Sequence, residues 1–242
     1  MNNHGKRQIN KCVVITGASR GIGLATAKFF LENEFGVINL SRTLCQLPEV
    51  INIQVDLAQQ GFEKNLETVL PCHLTNAETI VLVHNAAQSE KDTVNQIQAD
   101  SLRKILEVNV VAPTILNRIV LPLMNQGSAI IYIGSTLSEK AVAGSFSYIT
   151  SKHAMVGLMR VTCQDLMDKG IHTACICPGA TDTQMLRTVL NNDAILLEQV
   201  KSMNAQHRLI EPTEIAQTIY FVATQPVLNG AVIHANLGQK EK

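Results

Sequence analysis

Seven short apolar and β-branched runs, "CVVIT", "GVINL", "INIQV", "TIVLV", "AIIYIG", "HTACI" and "AVIHA", alternate with longer segments of helical period along this chain. Strands this apolar are buried on both faces, and strands separated by helices pair in parallel, because returning to the same sheet edge needs a long crossover. The pattern predicts an α/β fold with a doubly wound parallel seven-stranded sheet, a Rossmann fold of three α/β/α layers. Helices are expected near residues 22–34, 60–70, 101–125, 149–169 and 212–224, the last opening on Glu211-Pro212-Thr213-Glu214. The 242 residues, 46% of them hydrophobic, are enough for one large core, so residues 1–242 read as a single domain.

One interval breaks the alternation. Only "TLCQLPEV" separates "GVINLSR" from "INIQV", too little chain for a full crossover helix. Either this crossover shrinks to about one turn or the strand limits lie a few residues away.

Charge and cysteine usage exclude several partners. Lys+Arg and Asp+Glu number 20 each, so no net positive field gathers nucleic acid. Cys12, Cys45, Cys72, Cys163, Cys175 and Cys177 follow no zinc spacing, which fits free thiols in a reducing, cytoplasmic compartment. Cys175 and Cys177 would share one strand face as small hydrophobes. No metal is expected, because histidines and carboxylates form no ligand cluster; His84, His153 and His207 read as structural. The polar start and the lack of an apolar run of roughly 18 residues predict no membrane segment.

"TGASRGIG", Thr16 to Gly23, follows the first strand and opens the first helix. There Gly17, Gly21 and Gly23 allow a tight turn, close approach of backbone N–H groups to a phosphate, and close helix packing. Ser19, Arg20 and Ile22 complete this phosphate-binding turn. "GASRG" also matches a nucleophile elbow with Ser19 as a hydrolase nucleophile. Only one strand precedes it, so no earlier strand-to-helix loop supplies the second oxyanion donor.

In letters and spacing "TGASRGIG" resembles the short-chain dehydrogenase/reductase family, and the likeness extends over nearly the whole chain. Asn85-Ala86-Ala87 resembles the family's Asn-Ala-Gly turn, with Ala87 in place of Gly. Asn109 in "EVNV", Ser135 ending "IGS", Tyr148 and Lys152 in "YITSK", and Pro178-Gly179 with Thr181 and Thr183 in "CPGATDT" follow in family order. The resemblance implies that Asp56, beside Leu57, accepts from an adenine amine. It gives the backbone of Thr181 and the side chain of Thr183 the carboxamide and phosphate. Lys152 would bond the nicotinamide ribose, Ser135 would orient the carbonyl oxygen, and Asn109 would hold a water that relays protons beyond Lys152. The ending "NGAVIHANLG" departs from the family's Val-Asp-Gly-Gly, with Leu237 where the first Gly would stand.

Charge at the end of the second strand bears on the cofactor. "NLSRT" offers Ser41 and Arg42 where an acidic residue would bind a ribose 2′-OH. A guanidinium pairs with a 2′-phosphate, and Arg20 could approach it from the glycine turn, so NADP(H) is favoured.

Hydride reduction of a carbonyl builds negative charge on oxygen, which calls for a proton donor. Tyr148 supplies a phenol, and Lys152 stands one turn on along the same helix face. A cation roughly 4–6 Å from the phenol would lower its pKa by about 1–3 units. The chain therefore reads as an NADPH-dependent oxidoreductase interconverting a carbonyl and an alcohol on a small molecule, a 3-oxoacyl chain or another apolar ketone. A non-catalytic NADP-binding regulator is the alternative; Ser135, Tyr148 and Lys152 together argue against it.

Residues 184–208 occupy the family's variable substrate lid, with an apolar stripe at Met185, Leu186, Val189, Leu190, Leu196, Leu197 and Val200. Packing of that stripe against the body is expected. Leu137, Phe146 and Met185 are the expected pocket walls. Only Lys169 and Arg187 remain for docking an acidic carrier protein. Apolar excess in "LNRIVLPLM" and "MVGLMRV", with the family's habit of pairing these helices, points to a homodimer or homotetramer.

Overall fold

The computed structural model describes residues 10–239. All seven expected strands form: β1 (Lys11–Thr16), β2 (Gly36–Ser41), β3 (Val50–Gln54), β4 (Thr79–His84), β5 (Ala129–Ile133), β6 (His172–Pro178) and β7 (Ala231–Ala235). They make one sheet in the order β3-β2-β1-β4-β5-β6-β7, parallel throughout. The order reverses between β1 and β4, and in open parallel sheets ligands bind beyond the strand ends at such a switch point.

Helices cover both faces. On one lie α1 (Gly21–Glu32) and α8 (Pro212–Ala223), joined by edge-to-face packing of Phe30 on Tyr220 at 5.3 Å over Val13, Ile15 and Ile131. On the other lie α2 (Glu63–Leu74), α3 (Ala99–Leu106), α4 (Ala112–Val120) and α5 (Phe146–Asp165), which close over Leu82, Ile130 and Tyr132 of the sheet. The central strands are thus buried on both faces, while the edge strands β3 and β7 stay partly exposed.

Three features bear on the site. The β2–β3 connection contains no helix, as its short length allowed. A carboxamide pair, buried Asn39 and half-buried Asn52, holds it instead: Asn39 Nδ2 donates to Asn52 Oδ1 at 2.8 Å, which also accepts the Cys45 N–H at 2.7 Å. Second, α3 and α4 run together through a π-turn at Glu107–Val111. The resulting helical run Ala99–Leu123 is long and apolar enough by length and composition to cross a membrane, contrary to the sequence expectation. Half of its most apolar window is buried inside the domain, where it acts as a core helix. Third, the lid folds as two short helices, α6 (Gln184–Val189) and α7 (Ala194–Ser202), neither with a buried residue. The stripe is therefore only partly packed: Leu186, Val189, Leu190, Leu197 and Val200 are half-buried, while Met185 and Leu196 reach solvent.

Candidate active site

The residues singled out by sequence gather where β1, β4, β5 and β6 end. The glycine turn lies after β1, and its shape is set by contact. A Cβ on Gly23 would fall 2.2 Å from the Gly17 carbonyl oxygen, so no side chain fits. Gly17 has φ +73°, and a Cβ there would lie 3.3 Å from the Ala86 backbone, so the turn backs closely onto Asn85-Ala86-Ala87. Asn85 Nδ2 donates to the carbonyls of Thr16 and Gly17, at 2.9 and 3.1 Å, and Thr16 Oγ1 accepts the N–H groups of Asn85 and Ala86. From the other side Asn39 Oδ1 accepts the Ala18 N–H at 2.9 Å. The β2–β3 carboxamide pair thus also braces the turn, a role sequence reasoning missed because the partners lie 21 residues apart. No histidine bonds Ser19 among the described residues, leaving the hydrolase alternative without a base.

At the end of β5, Gly134 leaves room for three neighbours: an added Cβ would lie 2.9 Å from Cys175 Sγ, Cys177 Sγ and Ser138 Oγ. The two thiols share one face of β6, 3.9 Å apart and buried, as expected. Ser135 follows in an extended conformation, and its hydroxyl accepts the Leu137 N–H at 3.1 Å.

Tyr148 stands in the first turn of α5, and Lys152 one turn later is 2% exposed. The ammonium donates to the Ile133 carbonyl at 2.6 Å and lies 5.6 Å from the centre of the Tyr148 ring. Burial lowers the Lys152 pKa to about 8, opposed by the nearby Cys175 and Cys177 sulfurs. Burial also pushes the Tyr148 phenol up to about 12, with the Ser135 hydroxyl opposing it. This corrects the expected depression of the phenol: desolvation outweighs the opposing Ser135 hydrogen bond.

Asn109 lies on the π-turn and is fully buried. Its Nδ2 donates to the Gln88 carbonyl and to Ser151 Oγ, both at 2.9 Å, and its Oδ1 accepts the Gln88 N–H. Its side chain thus joins the strand-end loop to α5 one residue before Lys152. Asp92 was missed altogether. It is 9% exposed, and its carboxylate accepts both the N–H and the hydroxyl of Ser147, fixing the start of α5 beside Tyr148. Its only signal would have been an acidic residue facing a helix N-terminus from a distant loop.

The remaining assignments divide. Thr183 Oγ1 caps α6 by accepting the Leu186 N–H, and its methyl group lies beside Gly21, 3.2 Å from where a Cβ would be. Thr181 pairs in parallel with Ile210 and bonds Gly179, beside Pro178 at the end of β6. Arg20 does not point toward the end of β2; it donates to Gln184 Oε1 on the lid at 2.8 Å. Ser41 donates to the Thr43 carbonyl, and Asp56 accepts the Ala58 N–H just before buried Leu57. Arg42, Asp56, Gln54 and Lys64 line a cavity of about 400 Å³ at the β2–β3 ends. A second cavity of about 340 Å³ lies under the lid between residues 91–96 and 143–145. Leu137, Phe146 and Met185, the expected walls, do not line it; Val189, Leu190 and Leu196 do. Arg187 is paired with Asp182 through two 2.8 Å bonds, which removes it as a free cation for a carrier.

A parallel sheet with a glycine-rich turn at its switch point and a Ser/Tyr/Lys set beside it defines a dinucleotide-dependent oxidoreductase. The family model for short chain dehydrogenases matches residues 11–194, and the chain belongs to that family, whose members bind a nicotinamide cofactor and act on small molecules. Protein FixR of Bradyrhizobium diazoefficiens is 30% identical, covering 95% of this chain and 86% of its own length. The chloroplastic NADPH-dependent aldehyde reductase 1 of Arabidopsis thaliana is 29% identical over 94% of this chain and 85% of its own. Among solved structures, 4-hydroxyisoleucine dehydrogenase complexed with NADH superposes with a TM-score of 0.85 at 26% identity, covering 95% of this chain and 98% of that one.

Proposed function

We propose that the protein is an NADPH-dependent reductase of small or medium carbonyl compounds, with Tyr148 as the proton donor. The carrying observation is the half-buried Tyr148 ring set against the buried Lys152 ammonium and the Ser135 hydroxyl at the end of β5. The cradle formed by Gly17, Gly21 and Gly23 excludes side chains and leaves backbone free to meet a pyrophosphate, so these residues fit a dinucleotide. Asn85 and Ala86 lie against Gly17, and Thr183 against Gly21. When bound, the cofactor supplies the hydride.

The chain's own residues then handle the oxygen. Ser135 donates to the carbonyl oxygen and orients it. Tyr148, protonated across the neutral range, gives its phenolic proton as negative charge develops there. Lys152 stabilises the phenolate left behind by its charge, while the Ile133 carbonyl fixes the ammonium. Asn109 keeps α5 in register through Ser151.

Preference for NADPH rests on Arg42, with Lys64 across the same cavity and no carboxylate at the end of β2. The NADPH dependence of the Arabidopsis relative supports it, and the NADH complex of 4-hydroxyisoleucine dehydrogenase weighs against it. Exposed Val111 on the π-turn, Val161 on α5 and Met167 just after α5 support a homodimer or homotetramer, and the free cysteines a cytoplasmic setting. The test is NADPH and NADH oxidation over a carbonyl panel by wild type and Tyr148→Phe, with fluorescence titration of both nucleotides. Equal affinity for the two would overturn the NADPH preference, and a Tyr148→Phe variant as active as wild type would overturn the mechanism.

A further inference from the structure

We propose that the substrate carries a carboxylate several bonds from the reacting carbonyl and that Lys91 binds it; this rests on the reductase reading above. The cavity under the lid, about 340 Å³, is near the small end of ligand pockets, roughly 300–1,000 Å³. Its walls are of two kinds. Val189, Leu190 and Leu196 of the lid make one side apolar, while Lys91, Asp92, Thr93 and Gln96 make the other polar. Ser145, which also lines it, is the residue before α5, three positions from Tyr148. The cavity therefore adjoins the turn that carries the proton donor.

The charges on that polar side are unequal in what they still offer. Asp92 is buried, and its carboxylate is engaged by the Ser147 N–H and hydroxyl at the start of α5. Its charge is thereby offset by the helix N-terminus and does not call for a cationic ligand. Lys91 has no ion pair or hydrogen bond among the described residues. The Thr93 hydroxyl points at Asn95 and Gln96 oxygens, leaving the Gln96 amide N–H₂ as a second donor on this wall. An ammonium and an amide donor opposite an apolar lid match a short chain with an anionic end. An uncharged ketone would bury the lid contacts but leave the Lys91 side of the cavity unused.

Two probes of equal chain separate the charge from the chain: 5-oxohexanoate and its methyl ester. For wild type with NADPH, kcat/KM should favour the carboxylate by at least tenfold. Lys91→Gln should lose about tenfold on the carboxylate, carried by KM, and nothing on the ester; Lys91→Arg should restore it. Unchanged NADPH affinity serves as the control for folding. Saturation-transfer NMR measures binding of both probes without turnover. Binding that follows Lys91 with no reduction of any ketone would sink the reductase reading and leave the anion site standing. Equal use of acid and ester by wild type, indifference of the acid to Lys91→Gln, or no binding of either probe overturns the proposal.

Discussion

The Lys152 ammonium sits 5.6 Å from the centre of the Tyr148 ring and directs a 2.6 Å hydrogen bond at the Ile133 carbonyl. The pair is therefore arranged to hold a charge beside the phenol without a direct bond to it. Both groups are displaced by burial, the phenol up to about 12 and the ammonium down to about 8. The phenol remains a proton reservoir throughout the neutral range, and the lysine is the group whose charge changes near it.

Removing the phenolic hydroxyl deletes the proton donor and leaves the ring packing. Tyr148→Phe should lower kcat for carbonyl reduction by about 10²- to 10⁴-fold, the usual contribution of a positioned acid, while NADPH affinity stays within about twofold. Stopped-flow turnover and fluorescence titration check the two halves separately.

Lys152 gives a pH signature of known sign. Its folded pKa lies below its ordinary 10.5, so between about 8 and 10.5 the unfolded chain binds the extra proton and stability rises with pH. Below about 8 the ammonium is charged in both states and its burial costs on the order of 3 kcal/mol. Lys152→Met removes that cost and loses the bond to Ile133. The variant should be more stable than wild type at pH 7 by about 1–2 kcal/mol, and above pH 10.5, where only the lost bond counts, less stable by about 1 kcal/mol. It should be inactive, and in wild type kcat/KM for reduction should fall as pH rises through about 8. Urea denaturation at both pH values measures the first effect and a pH–rate profile the second.

The strands were legible because each is a short apolar run between helical segments, and the central five are buried along nearly their whole length. Ser135, Tyr148 and Lys152 were legible as a set for a similar reason: a strand end and a helix turn fix their spacing locally. The braces behind them were not. Asn39 and Asn52 pair across neighbouring strands, and Asp92 meets Ser147 55 residues on, so no window of sequence contains both partners. Arg20 shows the same limit from the other side. Its position in the turn was readable, but its partner Gln184 lies 164 residues away on a variable segment.

Asn39 links the reduced β2–β3 connection to the glycine turn, and both its ends are engaged. Asn39→Ala would leave the Ala18 N–H without its acceptor and take from Asn52 Oδ1 one of its two donors, the Cys45 N–H remaining. A loss of about 2–3 kcal/mol in stability is expected, together with weaker NADPH binding because the turn is no longer braced. Asn39→Asp keeps the acceptor toward Ala18 but sets a carboxylate against Asn52 Oδ1, so it should recover nucleotide binding more than stability. Chemical denaturation read alongside nucleotide titration separates the two ends of the side chain.

His84 ends β4 in the core, 1% exposed, with Nε2 2.8 Å from Asn117 Oδ1. That amide in turn donates to the Tyr132 hydroxyl at 2.6 Å, so its oxygen faces the ring and the imidazole is the donor. Burial lowers the His84 pKa to about 4, which keeps the ring neutral at pH 7. Between 6.5 and about 4 the unfolded chain binds a proton that the folded one refuses, so stability falls as pH is lowered through this window. The full displacement is worth on the order of 3 kcal/mol. His172, bonded to the Val222 carbonyl and also lowered by burial, adds to the slope in the same direction. His84→Gln retains an N–H for Asn117 and has no proton to gain, so it should flatten the acid limb by its own share and leave that of His172. Thermal melts of both proteins from pH 7 to 4 measure this; parallel curves would mean that His84 titrates normally in the fold.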